Sequence, residues 1–367
     1  MNDLYKDENE TFFAAANTKD GFVSYFDEIF DDDVCNRKYI LKGGPGVGKS
    51  TFMKKLGKAA KHAGYTVEYF YCSSDPDSLD GIIITEKKIA VIDGTSPHAV
   101  EPKYSGARDI IIDLGRAWNT DKLSEYRGKI MELSDKKSRL YGDCYKYLYC
   151  KSVMDGILYN LTLPYILFDK LEKSSARLAK GIFKGFQKKN ASKIRTRLIG
   201  ALSGLGKVRL TSFENSAEYC IFLKEPFASS RIPSLFLGAL YDYAMALGCD
   251  IYVSFSPENP DLIDALYFPE AKTSISVFDE KTVAKCDRLL KKCKIINCER
   301  FIDMKAFSSL KPLRKFYCRL SENMQKQALD CLGEAGAIHS QLEEIYGKCT
   351  DYKVVESISA EYFKKIL

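Results

Sequence analysis

Apolar positions along this chain follow two rhythms. Short apolar runs bounded by glycine, proline or charge predict strands at residues 39–42, 66–72 and 88–92, with a further one at 12–16 mirrored by 197–201. Residues 50–63 carry apolar side chains at helical spacing and stop at Gly64, which predicts a helix soon after the 39–42 strand. From 122 to about 193, and again over 310–367, the pattern is helical with few glycines. Strands alternating with helices predict an α/β protein built on parallel sheets.

The strand pattern occurs twice. Leu41-Lys42 answers Leu223-Lys224, and the stretches 60–64 and 244–248 close the helices that follow. The next strands exit through Asp75-Pro76 and Asn259-Pro260, Asp80 answers Asp264, and the run 89–93 ending in Asp93 stands beside 275–279 ending in Asp279. These matches keep one order at separations of 182 to 186 residues, as a duplicated unit requires. The predicted organisation is a unit at 1–118, a helical segment at 119–196, a second unit at 197–309 and a closing helical segment at 310–367, each unit with its own helical appendage.

Length agrees with two units, because single cores rarely grow past roughly 250–300 residues and this chain has 367. With 46% hydrophobic and 28% charged residues and no apolar run near the ~20 residues of a membrane span, a transmembrane segment is not expected. The acidic, polar start from Met1 to Glu8 lacks the pattern of a secretory leader, so a cytoplasmic protein is expected. Twelve cysteines are dispersed without a CxxC pair, and His62, His98 and His339 lie far apart, so reduced thiols are expected and no zinc site is predicted. A net charge of +6 is modest for this length.

One segment carries explicit chemistry. Gly43, Gly44, Pro45, Gly46, Val47, Gly48, Lys49, Ser50 and Thr51 contain the pattern G-x-x-x-x-G-K-[ST], with a predicted strand before it and a helix after it. Glycines let successive backbone N–H groups converge on phosphate oxygens at a helix N-terminus. Lys49 is then expected to bridge the β- and γ-phosphates, and Ser50 to ligate Mg²⁺. Lys42 lies seven residues before Lys49, where an extra signature lysine would lie five before it, so it reads as a strand-end residue.

Asp93 ends an apolar strand, as expected of the acid beside magnesium, although Asp279 at the matching place suggests a partly structural purpose. Asp75, Asp77 and Asp80 leave the second strand at the edge where open α/β sheets bind ligands. Asp75-Pro76 has the form of an Asx turn, and Asp77, without an acidic counterpart, is the candidate to position water or an acceptor hydroxyl. His98 is either a satisfied loop histidine or a sensor of the γ-phosphate. Residues 169–197 hold ten Lys/Arg against Asp169 and Glu172. On a helix, Lys170, Lys173, Arg177, Lys180, Lys184 and Lys188 share one face, which is either a solvated surface or a site for nucleic acid, an anionic membrane surface or an acidic protein over 170–197.

The segments 13–17, 21–25, 39–51, 72–81 and 91–98 together resemble the poorly characterised bacterial tandem P-loop ATPase family, whose members contain two such units. The resemblance covers about the first 120 residues and implies ATP binding with hydrolysis in the cytoplasm. The second unit departs from it: 224–232 has lost the glycines, with Ser230-Arg231 where Gly48-Lys49 stand and Ile232 in place of Ser50. The expectation is a P-loop NTPase with one Mg-ATP site driving a conformational switch, with Arg231 either a surface residue or a finger toward that site. A small-molecule kinase and a nucleotide-gated binding module with little turnover are the alternatives.

Overall fold

The computed structural model describes residues 10–31, 34–97, 99–227, 231–288 and 291–367. His98 and Ser230 lie outside them. The first unit comprises β1 (Thr11–Phe13), β2 (Ala15–Thr18), β3 (Gly21–Ser24), α1 (Phe26–Ile29), β4 (Arg37–Lys42), α2 (Lys49–His62), β5 (Val67–Tyr71), β6 (Leu79–Ile84), β7 (Ile89–Asp93) and β8 (Asp109–Asp113). Its six-stranded sheet runs β1-β5-β6-β7-β4-β8, with β6 antiparallel to both neighbours and the other pairs parallel. The expected all-parallel sheet is therefore mixed. The links 72–78 and 85–88 on either side of β6 are too short for a parallel crossover, which takes a dozen or more residues, so the chain must reverse there.

Helices α3 (Thr120–Glu125), α4 (Arg127–Thr162) and α5 (Phe168–Ile182) lead to the second unit. This comprises β9 (Ile194–Thr196), β10 (Gly200–Ser203), β11 (Gly206–Arg209), α6 (Ser212–Ser216), β12 (Tyr219–Lys224), α7 (Ile232–Leu247), β13 (Ile251–Phe255), β14 (Ile263–Phe268), β15 (Thr273–Val277), α8 (Glu280–Arg288) and β16 (Lys292–Asn297). Helices α9 (Met304–Phe307), α10 (Lys311–Lys348) and α11 (Tyr352–Ile366) close the chain. The second sheet, β16-β12-β15-β14-β13-β9, repeats the first strand for strand, including the antiparallel β14. Because β9 pairs with β13, the second sheet begins before residue 197. The basic segment stops being helical at Ile182, and Gly185 turns the chain at φ 83°, so Lys184 and Lys188 do not extend the α5 face.

Backbone pairing corrects the register of the repeat. Leu41 pairs with Asp93 and Leu223 pairs with Val277, so Val277, not Asp279, is the counterpart of Asp93. Asp279 instead accepts bonds from the Thr282 N–H and hydroxyl at the start of α8. Helix α2 starts at Lys49 behind left-handed Gly48, and α7 starts at Ile232 behind left-handed Arg231. Arg231 thus stands for Gly48, Ile232 for Lys49 and Pro233 for Ser50. The Arg231 guanidinium lies 4.9 Å over the Tyr159 ring of α4.

The units also exchange their terminal helices. Apolar residues of α5 pack with α7 on the second sheet, while Val355, Ile358 and Ile366 of α11 join the core of the first, where Phe363 packs edge-on to Phe52 and Tyr362 to Tyr39. The crossings are matched: Trp118 bridges Thr350 as Ile302 bridges Ile166. Asn119 N–H donates to the Cys349 carbonyl at 2.8 Å, as Asp303 N–H does to that of Tyr165 at 2.9 Å. Between the crossings α4 and α10 pack along each other, so each appendage closes over the other unit's sheet instead of its own. Among the described residues no helix is long and apolar enough to cross a membrane.

Candidate phosphate-binding site

Strand β4 is buried and apolar at Tyr39, Ile40 and Leu41, and α2 turns Phe52, Met53, Leu56 and Ala60 inward at helical spacing. The loop between them is thus fixed at both ends and lies at the carboxyl edge of β4 and β7. Gly43, Gly46 and Gly48 have φ of 151°, 71° and 99°, values an L side chain rarely adopts. A Cβ on Gly46 would also come within 2.7 Å of the Glu343 carbonyl oxygen.

Lys49 folds back into the loop. Its ammonium donates to the Gly43 and Gly44 carbonyls at 2.7 and 3.0 Å and lies 3.5 Å from Asp93 Oδ2. The other Asp93 oxygen accepts from the Thr95 N–H and hydroxyl at 2.9 and 2.6 Å. Burial raises the Asp93 carboxyl above its ordinary range against the opposing pull of Lys49 and Thr95, and Asp80 adds to the rise. Ser50 Oγ accepts the Leu79 N–H at 3.0 Å. Lys49 and Asp93 are therefore brought together, with Ser50 beside Lys49 in the first turn of α2.

The three aspartates of the β5–β6 link separate. Asp75 caps its own turn, accepting from the Asp77 N–H and the Ser78 hydroxyl. Asp77 is exposed, and its carbonyl is bound by Lys54. Asp80 is buried and lies near enough to Asp93 to add to the rise of its carboxyl. Lys42 ties down the chain after β7 through the Gly94 and Val100 carbonyls, a structural task.

The exchanged helices supply a roof. The Trp118 and Tyr346 rings, 5.6 Å apart, both lie against Gly44, and the Tyr352 hydroxyl donates to the Gly46 carbonyl at 3.1 Å. Lys137 of α4 lies 3.3 Å from His339 Nδ1 of α10, and Glu343 lies one turn farther along. Burial, with Lys137 and Lys49 reinforcing it, holds His339 down at about 4. Burial also lowers Lys137 and raises Glu343, and both groups lie close enough to Lys49 to feel its charge. Sequence reasoning missed Trp118, Lys137, His339 and Glu343. The available signal was the repeat itself, which puts Ser321, Asp155 and Tyr159 at the positions of Lys137, His339 and Glu343.

A groove of about 1150 Å³ lies elsewhere, between α5 and the β16 edge, lined by Lys170, Arg177, Lys294 and Arg300. It is open, and its lining also includes Glu299. Comparisons of this chain with protein-family models, with curated proteins and with solved structures return no match.

Proposed function

We propose that this chain binds Mg-ATP at the 43–51 loop and hydrolyses it there, with occupancy setting the seat of the α4/α10 roof. The reading is carried by one juxtaposition: Lys49, next to Ser50, meets Asp93 where left-handed glycines open a helix N-terminus. The residues fit the group they would hold. Backbone N–H groups of the loop suit phosphate, Ser50 Oγ and the Asp93 carboxylate suit magnesium, and the buried Trp118 indole N–H beside Gly44 has no hydrogen-bond partner among the described residues. When bound, magnesium neutralises charge on the phosphates. The chain's own part is to hold Lys49 and to exclude water beneath Trp118, Tyr346 and Glu343.

The resemblance to tandem P-loop ATPases agrees with this reading, and a cytoplasmic location is part of the proposal. Mg-ATP at about 100 times its dissociation constant is expected to stabilise the protein by ~2.7 kcal/mol, seen as a melting shift of several degrees. Lys49→Ala is expected to remove that shift and the release of phosphate. Unchanged ATP affinity in a folded Lys49→Ala protein would take the loop out of the proposal. ADP formed with a metabolite extract but without free phosphate would favour a kinase, and tight binding without turnover a nucleotide-gated module.

The basic groove supports a separate proposal, an anionic partner held by Lys170, Arg177, Lys294 and Arg300. Binding of a fluorescent oligonucleotide or anionic vesicles is expected to fall steeply with added salt and with Lys170→Ala/Arg177→Ala. Affinity indifferent to both would remove it.

A further inference from the structure

We propose that the second unit carries a thiolate site for a single soft metal ion, zinc foremost, formed by Cys220, Cys286 and Cys293. The three Sγ atoms lie within 4.8 Å of one another, and no disulfide joins them. Zinc holds tetrahedral thiolates at about 2.3 Å, hence about 3.8 Å from each other, so contraction by about an ångström completes three ligands of a shell. Thiolate donors select ions of this kind over magnesium or calcium.

The placement has a topological origin. Cys220 of β12 pairs directly with Cys293 of β16, two neighbouring parallel strands. The same register in the first unit pairs Lys38 with Asp109, a charged pair. The repeat has thus exchanged a cation and a carboxylate for two thiols. The third ligand comes from α8, for which the first unit has no helix between β7 and β8 among the described residues. Phe222, Ala217, Val283 and Phe278 surround the cluster, which keeps competing water away from Cys220 and Cys286. Cys293 is only half-buried and leaves a side through which an ion enters and solvent takes the fourth position. Lys291 anchors the approach by donating to the Glu214, Asn215 and Ala217 carbonyls. On binding, three S–H protons pass to solvent and three metal–sulfur bonds form, with no oxidation. The ion would pin α8 and the edge strand β16 to the sheet that flanks the basic groove.

The full chain, reduced and freed of metal by a chelator, is titrated with Co²⁺ and then Zn²⁺. The expected result is a thiolate-to-cobalt charge-transfer band saturating at one ion per chain and displaced by zinc. Zinc should also shield Cys220, Cys286 and Cys293, three of the twelve thiols, from alkylation. Cys220→Ser and Cys286→Ser should each weaken zinc binding by roughly 100-fold or more, beyond the ~10–100-fold typical of losing an outer-shell partner, whereas exposed Cys150→Ser should leave it unchanged. Absence of the band, or a band that persists in both variants, would overturn the site. Should a variant fail to fold, alkylation of the native chain decides: these three thiols reacting equally with and without zinc excludes the proposal.

Discussion

Replacing Lys151 by methionine is expected to lower the stability of the folded protein by about 3–5 kcal/mol, the cost of leaving buried carboxylates without their cation. Lys151 is buried on α4, with its ammonium 2.6 Å from Asp155 and 2.7 Å from Glu258. Ser321 of α10 donates to Asp155 at 2.6 Å and Gln325 to Glu258 at 3.2 Å, so one cluster fastens both long helices to the second unit. Burial by itself would lower Lys151 and raise Glu258. The mutual attraction wins, pushing Lys151 above its ordinary range and, with Lys207, holding Glu258 down at about 2. Methionine keeps the packing volume of the stem while deleting the charge. Urea unfolding at pH 7 measures the loss. Replacing Asp155 and Glu258 by leucine in the same protein should recover most of it, because the cost arises from the stranded carboxylates. A loss within the ~0–1 kcal/mol of an exposed ion pair would show that water reaches the cluster and that it does not fasten the helices.

The same electrostatics orders the response to acid. Glu258 is displaced from 4.5 down to about 2, so its contribution is complete above about pH 4.5 and is lost as pH falls toward 2. His339 is displaced from 6.5 down to about 4, so the unfolded chain takes up a proton that the folded chain refuses. Its contribution is complete above pH 6.5 and is lost between 6.5 and 4. Lys151→Met should flatten the lower limb, and His339→Asn the upper one.

Much of the first unit was legible because its signals are local. A strand, a glycine loop and a helix occupy 39–63 without interruption, and the loop pattern names Lys49 and Ser50 directly. What escaped depends on partners far away in the chain. The apolar run ending in Asp279 resembles the run ending in Asp93, but strand register is set by the bonds to β12, and these place Val277 opposite Leu223. The exchange of α5 and α11 leaves no trace in periodicity, since an apolar stripe does not say which sheet it covers. His339 looked isolated because Lys137, its neighbour, precedes it by about two hundred residues. Cys220, Cys286 and Cys293 have no metal-binding spacing and meet only because β16 returns beside β12.

One nucleotide per chain is expected, despite two sheets of identical topology. In the second unit Ile232 replaces the ammonium of Lys49, Pro233 removes both the hydroxyl and an N–H at the place of Ser50, and Val277 replaces the carboxylate of Asp93. Each loss removes a different element of Mg-ATP recognition, so no single reversion restores the site. The space beneath the roof is committed as well. Ser321 and Asp155 bond to each other where Lys137 and His339 face the first loop, and Lys151 and Lys207 with Glu258 complete an internally neutralised cluster there. A neutralised cluster offers no attraction for phosphate, while Tyr159, under the Arg231 guanidinium, occupies the position of Glu343. Asp93 therefore has no acidic counterpart, which separates its role from anything the shared fold requires. Calorimetric titration with a non-hydrolysable ATP analogue, on protein freed of bound nucleotide, should give one site per chain in the native protein and none after Lys49→Ala. Asp93→Asn should keep that site but weaken its dependence on magnesium. Two sites per chain, with one surviving Lys49→Ala, would mean that the second loop binds nucleotide without lysine, serine or aspartate.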